Sequence, residues 1–152
     1  MTDDLAYRLT YEVRTLFHRM VEAIDALHED TGVTTAMRAV MECLAGKKEK
    51  SVPQIARERS VSRQHIQTLA NALLDKDLIR TKPNPDHRRS PILCLTDEGE
   101  KLFRTMRLQE RKTLETIGGL TSRRDLQKTL DTLQTLNGYF DTMTKGKSHE
   151  TV

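Results

Sequence analysis

From Leu5 to Leu27, apolar residues recur at steps of three and four: Leu5, Leu9, Val13, Leu16, Met20, Ile24 and Leu27. That spacing predicts one long helix over about 4–29 with a continuous apolar stripe, broken at Gly32. A second helix is predicted over about 34–45, from Thr34 to the stop at Gly46. Ser51-Val-Pro-Gln54 then fits a capping box, in which Ser51 and Gln54 satisfy each other's amides and Pro53 is tolerated in the first turn. It opens a short helix to about Glu58. Ser62 is the next N-cap, with Val61 placed to staple onto Ile66, and the helix it starts runs to about Asp75. Two β-capable runs, 78–82 and 91–95, flank Pro83-Asn-Pro-Asp-His-Arg-Arg89 and predict a hairpin with a basic tip. Thr96 caps a further helix, with Asp97 and Glu98 at its positive end, and Gly118-Gly119 ends it. A last helix from about Ser122 gathers Leu126, Leu130, Leu133, Phe140 and Met143 on one side, and Lys145 onward reads as a frayed tail.

Two short helices, a tight turn and a hairpin describe a winged helix-turn-helix. Within 62–75 the buried face is expected to be Ile66, Leu69, Ala70 and Leu73, which turns Gln64, Gln67, Thr68 and Asn71 outward, with Arg63 and His65 at the N-terminal flanks. A merely solvated helix face more often carries Glu and Lys at i,i+4 spacing. Gln, Asn and Thr instead suit base edges in a major groove, where Asn or Gln pairs bidentately with adenine; Arg63 reaches for guanine or a phosphate. The hairpin tip adds His87, Arg88 and Arg89. Such clusters are usually solvated charge, but this one follows the candidate reading helix directly, as an arginine bound for a narrow, electronegative minor groove would.

Net charge is only +3, yet its distribution matters. Residues 47–89 hold eleven Lys/Arg against five Asp/Glu, so a middle of +6 lies between ends that together carry −3. A polyanion-binding centre with separate structural arms has that profile. The stripes on 4–29 and 122–144 are too long for a small lobe to cover and call for a second copy of the chain.

Ser51-Val-Pro-Gln-Ile-Ala56, Val61-Ser-Arg-Gln64, Leu78 to Lys82, Asp86-His-Arg-Arg89 and Leu95-Thr-Asp-Glu-Gly99 together resemble the MarR family of transcriptional regulators. The likeness extends over nearly the whole chain, and the spacing from the hairpin tip to Leu95-Thr96 and Gly99 is its most specific part. The resemblance implies a mainly α protein with a small β-wing, in which a winged helix-turn-helix lobe is flanked by long N- and C-terminal dimerisation helices. On this chain the parts fall at 1–33 for the N-terminal dimerisation helix, 34–96 for the DNA-binding lobe, 97–146 for the C-terminal dimerisation helices and 147–152 for a flexible tail. It further implies a cytoplasmic homodimer on a pseudo-palindromic operator in double-stranded DNA, and a repressor released by a small aromatic or anionic effector. The DNA-binding set is then Ser62, Arg63, Gln64, Gln67, Thr68, Asn71, Arg88 and Arg89. Tyr11, Met37 and Met41 are candidates for an effector pocket, although apolar residues at helical spacing are more often core. One departure stands out. Counted back from Thr96, the inserting arginine is Arg89 and the acidic residue that braces it in the family falls on His87, while Asp86 sits one position early.

Other classes are weakly supported. His18, His28, His65, His87 and His149 are scattered, with no nucleophile set, metal spacing or phosphate-binding glycine loop, so neither enzyme nor cofactor is expected. Cys43 and Cys94 are too few and too far apart for a disulfide framework and read as small buried hydrophobes. No segment approaches the ~20 apolar residues of a membrane span. The rival reading is a winged helix used for protein–protein contact, which the fold also permits.

Overall fold

The computed structural model describes residues 2–146, with side chains over 4–144; the tail expected at 147–152 lies outside the described residues. Helix α1 spans Thr2–Leu27, and a 3-10 turn at Glu29–Thr31 closes on Gly32 at φ 63°. There follow α2 (Thr35–Leu44), β1 (Lys50–Ser51), α3 (Val52–Arg59), α4 (Arg63–Asp75), β2 (Ile79–Lys82), β3 (Ile92–Leu95), α5 (Asp97–Gly119) and α6 (Arg123–Gly146). The predicted mainly α winged helix-turn-helix is present, and every expected element lies within about two residues of its predicted bounds.

The chain divides into two compact units, up to Glu110 and from Arg111 on. In the first, α2, α3 and α4 pack with the sheet around Met41, Leu44, Ile55, Ile66, Leu73, Leu93 and Met106. Local chemistry starts the helices where the sequence says. Thr34 Oγ1 accepts from the Met37 amide at 3.2 Å. Gln54 Oε1 accepts from the Ser51 amide at 2.7 Å and from the Ser51 hydroxyl at 3.1 Å, closing the capping box.

The sheet is antiparallel with strand order β1-β3-β2. Ile79 pairs with Leu95 and Lys82 with Ile92, which sets the hairpin register. The β1 strand pairs Lys50 with Leu93 and Ser51 with Ile92. Sequence pattern does not announce it, because two residues carry no alternation to detect. Its effect is to tie the start of α3 to the base of the wing.

The far end of the hairpin is fixed just as tightly. Thr96 Oγ1 donates to the Asp77 carbonyl at 2.7 Å and accepts from the Gly99 amide at 3.0 Å. At Gly99 the first turn of α5 lies so close to Leu78, the residue before β2, that an added Cβ would meet its carbonyl oxygen at 2.0 Å. Only glycine fits there.

The second unit holds the end of α5 and all of α6. Along α6, Leu130, Phe140 and Met143 are about half exposed, and Leu126 and Leu133 are partly buried.

Candidate nucleic-acid interface

Helix α4, the candidate reading helix, is placed by the turn before it. Ser60 adopts a left-handed conformation, φ 55°, and its amide caps α3 on the Ala56 and Arg57 carbonyls. The chain then re-enters a helix at Ser62, whose Oγ accepts from the His65 amide at 3.1 Å. Burial of Ile66, Ala70 and Leu73 fixes the phase of α4. Ser62, Arg63, Gln64, Gln67, Thr68 and Asn71 are all exposed as a consequence. The face has internal order: Gln67 Nε2 donates to Asn71 Oδ1 at 2.9 Å, and the Thr68 hydroxyl donates to the Gln64 carbonyl at 3.0 Å. That bond leaves the Gln67 Oε1 acceptor and the Asn71 Nδ2 donor for other partners.

The wing is held by Asn84, which the sequence marks only as part of a Pro- and Asn-containing turn. Asn84 Nδ2 donates to the Ser90 carbonyl at 2.7 Å, and Asn84 Oδ1 accepts from the Asp86 amide at 3.1 Å. The Ser90 amide in turn donates to the His87 carbonyl at 3.0 Å. Asn84 between Pro83 and Pro85 is a turn-forming signal of the kind that Asx chemistry uses. Asp86 and His87 therefore enter the wing turn through their backbone groups. Asp86 lines the same cleft as Arg89 but, among the described residues, forms no ion pair with it. Arg88 and Arg89 are exposed at the tip, and Lys82 pairs with Glu49 at the wing's base.

Between α4, the start of α3 and the wing lies a cleft of about 470 Å³ lined by Arg57, Arg63, Asn84, Asp86, Arg89 and Ser90, among others. A shallower groove of about 390 Å³ also has Arg63, Arg89 and Ser90 in its lining, together with Gln64 and Gln67. Below it, Lys50 on β1 pairs with Glu58 on α3, and that hydrogen bond holds the Glu58 carboxyl below its ordinary value.

The remaining candidates separate. Met37 and Met41 are 5% and 0% exposed and belong to the main core, whereas Tyr11 is 55% exposed on α1 beside Tyr7, Arg8 and Glu12. The structure does not bring these three together, because α2 spends both methionines on packing within the lobe. The two cysteines are buried and free, as small hydrophobes would be. Burial pushes the Cys43 thiol up, and the neighbouring Glu58 carboxylate adds to it. On β2, Arg80 Nε donates to Cys94 Sγ at 3.4 Å, which raises the guanidinium further above its ordinary value. Among the described residues no group of three or more His, Cys, Asp or Glu is placed to hold a metal, and no helix is long and apolar enough to cross a membrane.

A buried polar cluster escaped the sequence reading altogether. Glu110 on α5 accepts from His28 Nε2 at 2.9 Å and, bidentately, from the Arg38 guanidinium on α2. Arg38 also stacks over the Phe103 ring at 5.4 Å. His28 and Glu110 are 1% and 7% exposed.

Comparison with known proteins follows the same lines. A family model described as MarR family matches residues 31–90, which covers the helix-turn-helix and most of the wing. An uncharacterized protein of Mycobacterium tuberculosis (strain H37Rv) is 32% identical over 108 residues, 70% of this chain and 73% of that one. A crystal structure of a MarR family transcription regulator superposes with TM-score 0.83 at 25% identity, covering 95% of each chain. The Staphylococcus aureus MepR–DNA complex superposes with TM-score 0.79 at 17% identity, covering 87% of this chain and 97% of that one, a likeness of fold.

Proposed function

The chain belongs to the MarR family, and from that premise we propose that it regulates transcription by binding double-stranded DNA as a homodimer, with α4 in a major groove and the wing in the neighbouring minor groove. The observation that carries the proposal is the exposed, uncharged Gln64, Gln67, Thr68 and Asn71 face flanked by Arg63 and Arg89. Amide and hydroxyl side chains on a rigid helix supply the donor–acceptor pairs that distinguish base edges, and a guanidinium suits the negative potential of a narrow minor groove.

The wing gives the direct test. A preferred duplex is first selected from random sequence, and its affinity is measured across a salt series. The parent binds it in preference to a scrambled duplex, with affinity falling as salt rises. Arg89→Ala weakens binding at fixed salt and flattens the slope by roughly one to two units for a dimer, about 0.9 per phosphate charge on each wing. Arg89→Lys restores only part, since a strongly hydrated ammonium is a poorer groove ligand than a guanidinium. Absence of salt-dependent binding to any duplex would overturn the proposal and favour a winged helix that docks on protein. Repression, and release by a small aromatic or anionic effector, extend the proposal from the family resemblance. Met37 and Met41 are packed in the core and Tyr11 is exposed, so effector release is tested without reference to them, by loss of the bound duplex on titration with aromatic carboxylates.

A further inference from the structure

Arg57, Arg63 and Arg89 reach one cleft from three different elements: the last turn of α3, the first residue of α4 and the tip of the wing. Asp86 is the single carboxylate in the lining. Among the described residues none of the three guanidinium groups makes an ion pair. Their neighbours behave differently: Arg59, two residues after Arg57, approaches Glu42 at 4.0 Å, and Arg38 is bound to Glu110. Three unpaired cations facing one opening form a site for an anion that the chain itself does not supply.

What crosses that opening follows from the geometry of the reading above, on which this inference rests. If α4 occupies a major groove and Arg89 the adjacent minor groove, the feature separating the two grooves is one sugar–phosphate strand. That strand has to run between α4 and the wing. The groove lined by Gln64, Gln67, Arg63 and Arg89 shares both arginines with the larger cleft, so the path from the base-reading face leads directly to Arg57.

We propose that Arg57, with Arg63 beside it, clamps the phosphodiester strand that separates the two grooves. Arg57 is a backbone-positioning residue, and Arg63 belongs to the backbone rather than to base reading. The clamp sets the register of α4 on the duplex and carries no sequence information of its own.

The experiment compares Arg57→Ala with Arg59→Ala in the full chain, on the selected duplex and on a scrambled one, across a salt series. Both variants remove one exposed positive charge from the same turn of α3, so net charge and helix propensity are matched. Arg57→Ala is expected to weaken both duplexes by the same factor, on the order of tenfold at ~0.15 M salt, and to flatten the slope by about 0.9 per protomer. Arg59→Ala leaves the slope within error of the parent. Arg57→Lys restores the slope, because a phosphate needs charge more than a planar fork, and Arg57→Gln, which keeps the long stem, repeats the loss should the alanine variant fold poorly. A neutral methylphosphonate placed singly along the strand between the grooves should weaken the parent at one position and leave Arg57→Ala unaffected there. Equal slopes for Arg57→Ala and Arg59→Ala, or a loss confined to the selected duplex, would overturn the clamp while the parent still binds DNA. A parent that binds no duplex would overturn the functional reading itself.

Discussion

In the free chain Gln67 already donates to Asn71, leaving one amide acceptor and one amide donor on adjacent turns of α4. That pairing reduces the rotamer freedom lost on contact with a base. Gln67→Ala or Gln64→Ala is therefore expected to lower discrimination between selected and scrambled duplex by about 1–3 kcal/mol per lost bidentate pair, while non-specific binding persists. Equal weakening of both duplexes would show that these side chains are not readers. Cys43 carries a different expectation. Its thiol is pushed up by burial and then by Glu58, so the folded chain holds this proton more tightly than the unfolded one. The contribution is thus fully present below the unfolded thiol value, about pH 8.5, and is lost as pH rises above it. Urea unfolding from pH 7 to 10 should show stability declining from that point in the parent and declining less in Cys43→Ala. The exposed polar face of α4 was legible in the sequence because a Ser62 cap and the Ile66, Ala70, Leu73 spacing fix the phase of the helix locally. Asn84 is legible only as part of a turn; its bond to the Ser90 carbonyl is not, since that partner is defined only once the wing loop has closed.

Among the elements, α5 shows where local pattern gives way to tertiary context. Gly99, Phe103, Met106 and Glu110 follow one another at steps of four, three and four, and all four are buried. Periodicity alone thus puts Glu110 on the apolar side, but its immediate neighbours, Gln109, Arg111 and Lys112, make the segment look solvated. Its partners His28 and Arg38 lie 82 and 72 residues away, on α1's exit and on α2, and no sequence window contains them together. A carboxylate buried with both oxygens engaged stabilises chiefly because its partners cannot be left without it. Glu110→Ala leaves a guanidinium whose side chain is 15% exposed with Glu42, at 3.6 Å, as its remaining ion-pair partner, and removes the acceptor from a histidine ring already lacking a partner at Nδ1. The expected loss in urea unfolding is about 3 kcal/mol, the low end for a broken buried pair because Glu42 still faces the guanidinium. Glu110→Gln should cost less, because the amide oxygen still accepts one of these bonds. A change below about 1 kcal/mol for Glu110→Ala would mean that water replaces the carboxylate freely and the cluster does not hold α5 to α2. The two-residue β1 teaches the same lesson on the sheet side: it exists only through its pairing with Leu93 and Ile92.

For the whole molecule, the decisive feature is apolar surface that the single chain leaves uncovered. On α1, Leu5, Leu9, Val13, Leu16 and Met20 are 68%, 37%, 39%, 57% and 51% exposed, and they form the stripe that the sequence pattern marks. On α6, Leu130, Phe140 and Met143 are 49%, 51% and 46% exposed. A monomer rarely displays apolar faces of this length on its helices. Covering the half of these five α1 side chains that is still exposed contributes about 4–8 kcal/mol. Association costs roughly 4–15 kcal/mol in lost freedom, so the proposed pair needs the apolar faces of both helices to be covered. A closed two-fold arrangement is the commonest way for identical chains to bury identical stripes, and it would present two α4 helices to a duplex. The parent is expected to sediment as a dimer at micromolar concentration, with a melting temperature that rises with protein concentration. The double variant Leu16→Lys, Met20→Lys replaces two exposed side chains, so each lobe should keep its circular dichroism. Sedimentation should shift it towards monomer. Its duplex affinity should fall at least a hundredfold, because two tethered lobes bind with an effective concentration that separate lobes lack. A parent that sediments as a monomer and binds DNA as tightly as the proposal requires would leave the stripes without a partner and refute the dimer.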